Sequence, residues 1–152
     1  EVAADYVDVE RDYAYVDALS MYLVQRPQSY DVMVAENMYG DIISDLAAGL
    51  VGGLGMAPSG DIGEDAAVFQ PSHGTAPDIA GRGLANPIAM VLSAALMLRW
   101  LGDRDGDDTA HEGAERIEAA VRAVVGDGGV GTPDLGGALS SGELGARIVE
   151  AL

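Results

Sequence analysis

Two aspartates one helical turn apart are the residues whose types and spacing most directly predict chemistry. Asp41 and Asp45 lie in "ENMYGDIISDLAAGLVGGLG" (36–55), where the apolar spacing predicts a helix over 38–51. Residues i and i+4 share one face of a helix, so the two carboxylates project side by side. Mg²⁺ and Mn²⁺ bind oxygen ligands in an octahedral shell, and two aspartates would supply two of about six positions.

The same pair has a second interpretation, as part of a solvated helix face. The chain carries 25 acidic residues against 8 basic ones, so such a pair arises easily by chance. Two neighbouring features favour the metal site. The apolar run "YDVMVA" (30–35) predicts a buried strand, whose carboxyl end is where α/β proteins bind ligands. Ile42, Ile43 and Leu46 predict a largely buried helix, in which the carboxylates require a partner.

The composition restricts the class of partner. The net charge is −17, and the basic residues include no lysine. A surface of this sign disfavours nucleic acid and anionic membranes. The absence of cysteine excludes disulfides, thiolate zinc sites and cysteine nucleophiles. Because no apolar stretch approaches about 20 residues, we expect a cytoplasmic protein without a membrane span. Acid excess without lysine predicts a halophilic host, since salt screens carboxylate repulsion.

Helical and strand patterns alternate along the chain and predict an α/β fold. Gly52 and Gly53 are predicted to end the 38–51 helix, and short strands are predicted within 54–71. On the later helices, His111 is predicted to be exposed. The remaining predictions are a β-rich run over 13–17, helices over 18–26, 88–102, 109–125 and 142–152, an acidic loop over 103–108, and core positions at Met90, Met97 and Trp100.

A glycine-rich loop, "SHGTAPDIAGRGLANP" (72–87), has the groups needed to bind a nucleotide. Backbone N–H groups near Gly74 and Ala76 could meet phosphates. Asp78 could accept hydrogen bonds from ribose hydroxyls and would repel a 2′-phosphate. The loop differs from the GxGxxG turn of dinucleotide-binding folds, and "GLVGGLG" (49–55) closes a helix instead of opening one. An ordinary surface loop is the alternative, and physical arguments alone favour it.

Together these segments resemble the β-decarboxylating dehydrogenase family, which includes 3-isopropylmalate, isocitrate, homoisocitrate and tartrate dehydrogenases. "ENMYGDIISDLAAGLVGGLG" precedes "PSHGTAPDIAGRGLANP", and "YVDALSMYLVQRPQSYDV" precedes both. The resemblance implies an isopropylmalate dehydrogenase-like α/β fold, with a mixed sheet flanked by helices. It assigns 1–52 to the remainder of a central, dimer-forming domain with the metal site. It assigns 53–152 to the segment in which the chain re-enters the larger, cofactor-binding domain.

The resemblance also implies an activity, the NAD-dependent oxidative decarboxylation of a 3-substituted malate that depends on Mg²⁺ or Mn²⁺. The favoured substrate is 3-isopropylmalate; isocitrate, homoisocitrate, tartrate or a non-catalytic regulatory subunit are the alternatives. Asp17, Asp41 and Asp45 match the metal ligands, and Asp17 and Asp41 are also assigned as catalytic. In the family, Asp17 would reach the metal from the other subunit of a homodimer or tetramer, so the active site would be shared.

Residues of the glycine-rich loop match the adenosine side of the family's cofactor site. Asp78 and Ile79 stand where NADP-dependent relatives tend to carry lysine and tyrosine, so NAD is predicted. Gln70 departs from the glutamate of many relatives. The family's catalytic lysine is absent, so we expect this chain to be a C-terminal half without activity of its own. The full set of matching residues is His73, Gly74, Thr75, Ala76, Asp78, Ile79 and Asn86.

Overall fold

The computed structural model describes residues 2–126, 128 and 130–152. Along these residues the helices and strands are α1 (Val16–Gln25), α2 (Asn37–Leu50), β1 (Pro58–Ile62), β2 (Ala67–Pro71), α3 (Ile88–Asp105), α4 (Asp108–Gly126) and α5 (Ser141–Glu150). Short 3-10 turns lie at Val2–Asp5, Pro27–Ser29, Leu54–Met56, Pro77–Ile79 and Pro133–Leu135. The backbone divides into two compact units, Glu1–Ala47 and Ala48–Leu152.

The first unit contains α1 and most of α2. The helix predicted over 18–26 is confirmed as α1, which begins two residues earlier and ends before Pro27, because proline cannot continue a helix. The Arg26 guanidinium lies 4.3 Å from the centroid of the Tyr22 ring, a cation–π contact that closes the helix end. Leu23 is the buried residue of α1, and Ile43 is buried in α2.

Two strand predictions in the first unit are wrong. Residues 13–15 are irregular before α1, and residues 30–35 are irregular and largely exposed, with Val34 95 % accessible. A strand requires partners for its backbone N–H and C=O groups, and among the described residues this segment pairs with none. The prediction that α2 is largely buried is also wrong, because Ile42 is 53 % exposed. Adjacent Ile42 and Ile43 point about 100° apart on a helix, so one neighbour buries only one of them.

The second unit begins with a β-hairpin packed on α3. β1 and β2 are antiparallel, with Gly60 opposite Phe69. A Cβ at Gly60 would lie 2.9 Å from the Phe69 ring, so glycine lets the ring cover the strand. The ring also packs against Trp100 of α3, with centroids 5.9 Å apart. Ser93 of α3 lies with its Oγ 2.8 Å from the Gln70 carbonyl oxygen, which fixes the helix to the hairpin.

The core of the second unit joins α3, α4 and α5. Ile88 and Leu144 are fully buried at its centre, and each such side chain stabilises the fold by about 1.5–3 kcal/mol. The predicted core positions Met90 and Met97 are wrong, since both are exposed on the outer side of α3. The buried residues of the core are Ile88, Ala120, Val121, Val124, Leu144 and Ile148.

The α3–α4 connection differs from the prediction that Gly102 ends a helix. α3 continues to Asp105, and Gly106 in the left-handed conformation (φ 67°) ends it. Gly102 instead allows close packing of the helices, because a Cβ there would lie 2.7 Å from the His111 ring. His111 is therefore half-buried, with Nε2 3.2 Å from Asp103 Oδ1, and its predicted exposure is wrong.

Candidate functional site

The predicted metal ligands all lie in the first unit and are exposed. Asp17 is in the first turn of α1, where its Oδ1 accepts a hydrogen bond from the Ala18 N–H at 2.8 Å. Asp41 and Asp45 lie one turn apart on α2, as the spacing predicted. The backbone carbonyl of Asp41 accepts a hydrogen bond from Ser44 Oγ at 3.1 Å. The Asp41 carboxylate takes no part in this bond, and the residue is exposed.

The three aspartates do not form a single cluster. Among the described residues, no group of three or more histidine or acidic side chains is close enough to hold a metal ion. The donor chemistry nevertheless suits a hard divalent cation, because exposed carboxylates on one helix face offer oxygen ligands without a large desolvation cost. A metal site built on Asp41 and Asp45 therefore requires additional ligands, which the neighbouring acidic side chains among the described residues do not supply.

A groove of about 690 Å³ in the second unit brings together most of the predicted cofactor residues. It is formed by Gly55, by the loop over 73–86, and by Asp134 and Ser141 near the C-terminus. Six of the seven predicted residues line it, and Asp78 does not. Those six are His73, Gly74, Thr75, Ala76, Ile79 and Asn86.

The loop over 73–86 is shaped by its backbone. Ala76 adopts the left-handed conformation (φ 41°, ψ 63°), which costs an L-residue with a Cβ about 1–2 kcal/mol. This turn leads into Pro77–Ile79, where the Ile79 N–H donates to the Ala76 carbonyl oxygen at 3.1 Å. The His73 Nδ1 lies 2.9 Å from the Gly74 carbonyl oxygen. That contact requires a hydrogen on Nδ1, so a neutral ring presents Nε2 as an acceptor.

Asn86 is the buried polar residue of the groove, with 7 % of its surface accessible. Its Oδ1 accepts a hydrogen bond from the Ile88 N–H at 3.0 Å, which satisfies an unpaired donor at the start of α3. Its Nδ2 donates to Asp134 Oδ2 at 3.0 Å and lies 3.7 Å from the Met56 sulfur. Asn86 therefore connects three segments that are distant in sequence.

The start of α5 forms the far side of the groove. The Ser141 N–H donates to the Gly83 carbonyl oxygen at 2.8 Å, and the Ser141 hydroxyl donates to the Ala85 carbonyl oxygen. Ser140 and Glu143 form a reciprocal capping box that begins the helix here. The Ser140 N–H and hydroxyl donate to the Glu143 carboxylate and hold its pKa below the usual range. The last helix is thus fixed to the glycine-rich loop.

Eight residues that line the groove were not among the predicted ones, and five of these lie within the glycine-rich loop itself. The other three, Gly55, Asp134 and Ser141, lie outside that loop, and tertiary contacts bring them to the groove. One sequence signal was available, because "TPDLGG" (132–137) combines an acidic residue with turn-forming proline and glycines. Thr132 within it is fully buried.

Comparison with known proteins gives the family. A model of the isocitrate/isopropylmalate dehydrogenase family matches residues 1–148. An isocitrate/homoisocitrate dehydrogenase from Thermus thermophilus is 53 % identical over 152 residues, which is 100 % of this chain and 43 % of that protein. A 3-isopropylmalate/3-methylmalate dehydrogenase from Methanocaldococcus jannaschii is 47 % identical over 150 residues, covering 99 % of this chain and 43 % of that protein.

A solved structure agrees with this assignment. The crystal structure of isocitrate dehydrogenase from Methylococcus capsulatus matches with a TM-score of 0.87 and 48 % identity, over 99 % of this chain and 43 % of that one. The chain belongs to the isocitrate/isopropylmalate dehydrogenase family, and its α/β fold is of the predicted kind. It spans less than half the length of these relatives. Within the described residues, no helix has the length and apolar character needed to cross a membrane.

Proposed function

We propose that the chain contributes a metal site and an adenosine site to an NAD-dependent β-decarboxylating dehydrogenase. The observation that carries this proposal is the groove in the second unit, which gathers six of the seven residues matched to the family's cofactor site. A groove of about 690 Å³ is within the usual size range of small-molecule and cofactor sites. Membership of the family supports the reaction class.

The groups that line the groove favour NAD over NADP. Among the described lining residues, the ionisable side chains are His73 and Asp134, and neither supplies the fixed cation that a 2′-phosphate requires. Asp78 lies in the adjacent Pro77–Ile79 turn and gives the glycine-rich loop a negative charge of its own. Hydroxyl groups of an unmodified ribose can donate to carboxylates, whereas a phosphate dianion is repelled by them.

Asp41 and Asp45 are the proposed anchor of the divalent ion, either Mg²⁺ or Mn²⁺. When bound, such an ion acidifies the substrate hydroxyl and stabilises the negative charge that develops during oxidation and loss of CO2. The face of α2 that carries these two carboxylates would then point toward the substrate. Asp17 is proposed to act at the corresponding site of a second copy, so that a homodimer, alone or within a tetramer, completes each centre.

The proposed substrate is a 3-substituted malate. The match of "GLVGGLGMAPS" (49–59) and the glycine-rich loop to the 3-isopropylmalate branch supports 3-isopropylmalate as the first candidate. Isocitrate or homoisocitrate is the second, supported by the name of the 53 % identical Thermus relative. Tartrate and a non-catalytic regulatory role are weaker alternatives, the latter because Asp17, Asp41 and Asp45 are all present.

The two sites are proposed to belong to different domains of the enzyme. Residues 1–52 would complete the dimer-forming domain, and residues 53–152 would return to the larger cofactor-binding domain. A division into compact units after Ala47 supports a boundary in this region. The large acid excess supports the further proposal of a salt-rich cytoplasm.

The test is an assay of the natural protein that contains these residues. NADH formation is followed with 3-isopropylmalate, isocitrate, homoisocitrate and tartrate, in Mn²⁺ and at high salt. Asp41→Asn keeps the shape of the side chain and removes a metal ligand, so we expect at least about a hundredfold loss of kcat/KM and weaker Mn²⁺ binding. Asp61→Asn, at an exposed position of β1, is the matched control and should retain activity.

Three results would contradict the proposal. Unchanged Mn²⁺ binding in Asp41→Asn would show that α2 presents a solvated face. Equal use of NADP⁺ and NAD⁺ would contradict the assignment of the groove. A wild-type protein that binds NAD⁺ and Mn²⁺ but oxidises none of the four substrates would favour the regulatory subunit.

A further inference from the structure

The hydrogen bonds of Asn86 fix its side-chain amide in one orientation. One end faces Asp134 Oδ2, a carboxylate oxygen that accepts a hydrogen bond, so that end must be the Nδ2 amine. The other end faces the Ile88 backbone N–H, which can only donate, so it must be Oδ1. Because the two partners have opposite chemistry, a flipped amide would lose both bonds.

Gly55 brings the Asp134 carboxylate close to Asn86. A Cβ at Gly55 would lie 2.8 Å from Asp134 Oδ2 and 3.0 Å from Asn86 Cβ, so only glycine fits beside the pair. The Pro133–Leu135 turn carries Asp134 into this position. All three residues line the groove, although 48 residues separate Asn86 from Asp134 in the sequence.

We propose that Asp134 is a positioning residue of the nucleotide groove, which holds the Asn86 amide in its single orientation and thereby sets the hydrogen-bonding pattern presented to the ligand. The inference rests on the proposed function for the identity of the ligand. The Nδ2 group of Asn86 donates to Asp134 and to the Met56 sulfur, so the hydrogen-bonding capacity left to this pair of residues is that of acceptors, the Asp134 carboxylate and the second lone pair of Asn86 Oδ1. Such a wall favours a ligand edge that donates hydrogen bonds, such as an exocyclic amine.

The first test examines the Asn86 amide without any ligand. In ¹⁵N-labelled protein, the two side-chain amide protons of Asn86 should exchange slowly with solvent, because the group is buried and hydrogen-bonded. Asp134→Ala removes the acceptor and should accelerate this exchange at least about tenfold. Asp134→Asn retains an acceptor oxygen and should restore most of the protection. Unchanged exchange in Asp134→Ala would overturn the proposal.

The second test measures affinity for NAD⁺ and for its deaminated analogue, in which hypoxanthine replaces adenine. Loss of one oriented hydrogen-bonding group should weaken NAD⁺ binding about tenfold in Asp134→Ala, and Asp134→Asn should restore it to within about threefold. The preference for adenine over hypoxanthine should fall in Asp134→Ala. Glu118→Ala, which breaks the 2.6 Å contact to Arg99 outside the groove, is the matched control for lost stability.

The outcomes separate the inference from the proposed function. If Glu118→Ala lowers the melting temperature and weakens NAD⁺ binding as much as Asp134→Ala does, the effect is general stability and the positioning role is overturned. If NAD⁺ binds with wild-type affinity to Asp134→Ala, the positioning role is likewise overturned. If the wild-type protein binds neither dinucleotide while the Asn86 amide responds to Asp134→Ala, the nucleotide function is overturned and the coupling of the two side chains stands.

Discussion

The two units of the chain present their functional residues in different ways. In residues 48–152, a buried asparagine, a strained alanine and the start of the last helix meet around one groove, each fixed by named hydrogen bonds. In the described residues up to 47, Asp17, Asp41 and Asp45 are exposed and form no cluster of three. The groove is therefore assembled by this chain's own packing, whereas a metal site on α2 depends on ligands added to it.

This difference indicates how each site responds to mutation. A site supported by a packed core is sensitive to changes at a distance, because interiors transmit strain. A pair of exposed carboxylates on one helix is sensitive mainly to changes in the carboxylates themselves. One chemical change made in both units tests this contrast directly, and variants of Gly137 and Glu118 test the packing and the ion pairs of the second unit.

The largest effect is expected at Gly137, beside the core of the second unit. A Cβ there would overlap the backbone carbonyl group of Gly131, so the two segments cannot stay together. We expect Gly137→Ala to lower the free energy of unfolding by about 4 kcal/mol or more, measured by urea denaturation. Gly145→Ala, in α5 with open space at its Cβ position, is the control and should be neutral or slightly stabilising. Similar behaviour of the two variants would contradict this packing.

The same chemical change at two isoleucines compares the units directly. Ile88 is fully buried, and Ile88→Ala should cost about 3 kcal/mol through lost transfer free energy and a cavity. Ile42 is 53 % exposed, and Ile42→Ala should cost less than about 1 kcal/mol. Hydrogen exchange of backbone amides in each unit measures both changes. An equal cost would show that α2 is as well packed as α3 in solution.

The smallest effect concerns an ion pair of the second unit. Hydrogen bonds and charge from Arg99, supported by Arg122, lower the pKa of Glu118 from its usual 4.5. A carboxyl whose pKa is lower in the folded state stabilises that state above the unfolded pKa, and this contribution is lost as pH falls through the folded pKa. Glu118→Gln should therefore lower the free energy of unfolding by up to about 1 kcal/mol at pH 7, and the difference should shrink as the pH falls below the unfolded pKa.

Removing one charge from so acidic a chain has its own effect on stability, so the Glu118→Gln comparison needs a control. Asp61→Asn removes one negative charge at an exposed position of β1. Asp61→Asn should change the free energy of unfolding only slightly, and it should not lower it at pH 7. A pH profile for Glu118→Gln that coincides with that of Asp61→Asn would show that the contacts with Arg99 and Arg122 contribute nothing.

Local patterns predicted the elements that depend on local interactions. The spacing over 18–26, 38–51 and 109–125 matches α1, α2 and α4, because helical periodicity and end signals are encoded nearby in sequence. The strand over 30–35 was wrong because pairing requires a distant partner. Gly102 was misinterpreted as a helix end because its role is set by His111 on the next helix.

For the nucleotide groove and the aspartates of α2, local sequence patterns had the same limit as a means of prediction. Six groove residues were predicted together because they lie in one continuous loop. Asp134 and Ser141 reach the groove through the packing of α5 and the Pro133–Leu135 turn. The "TPDLGG" pattern predicts a turn, but it does not encode what that turn packs against. The positions of Asp41 and Asp45 on one helix face followed from their spacing, but the packing of that face did not.

The contact between the start of α5 and the glycine-rich loop makes the groove and the C-terminal segment thermodynamically linked. The Ser141 N–H and hydroxyl bridge to Gly83 and Ala85, so a ligand that fills the groove binds the docked form of the last helix in preference to a detached one. Saturation of the groove with ligand should then protect residues 136–152 from proteolysis. Removal of these residues should in turn abolish ligand binding in the groove.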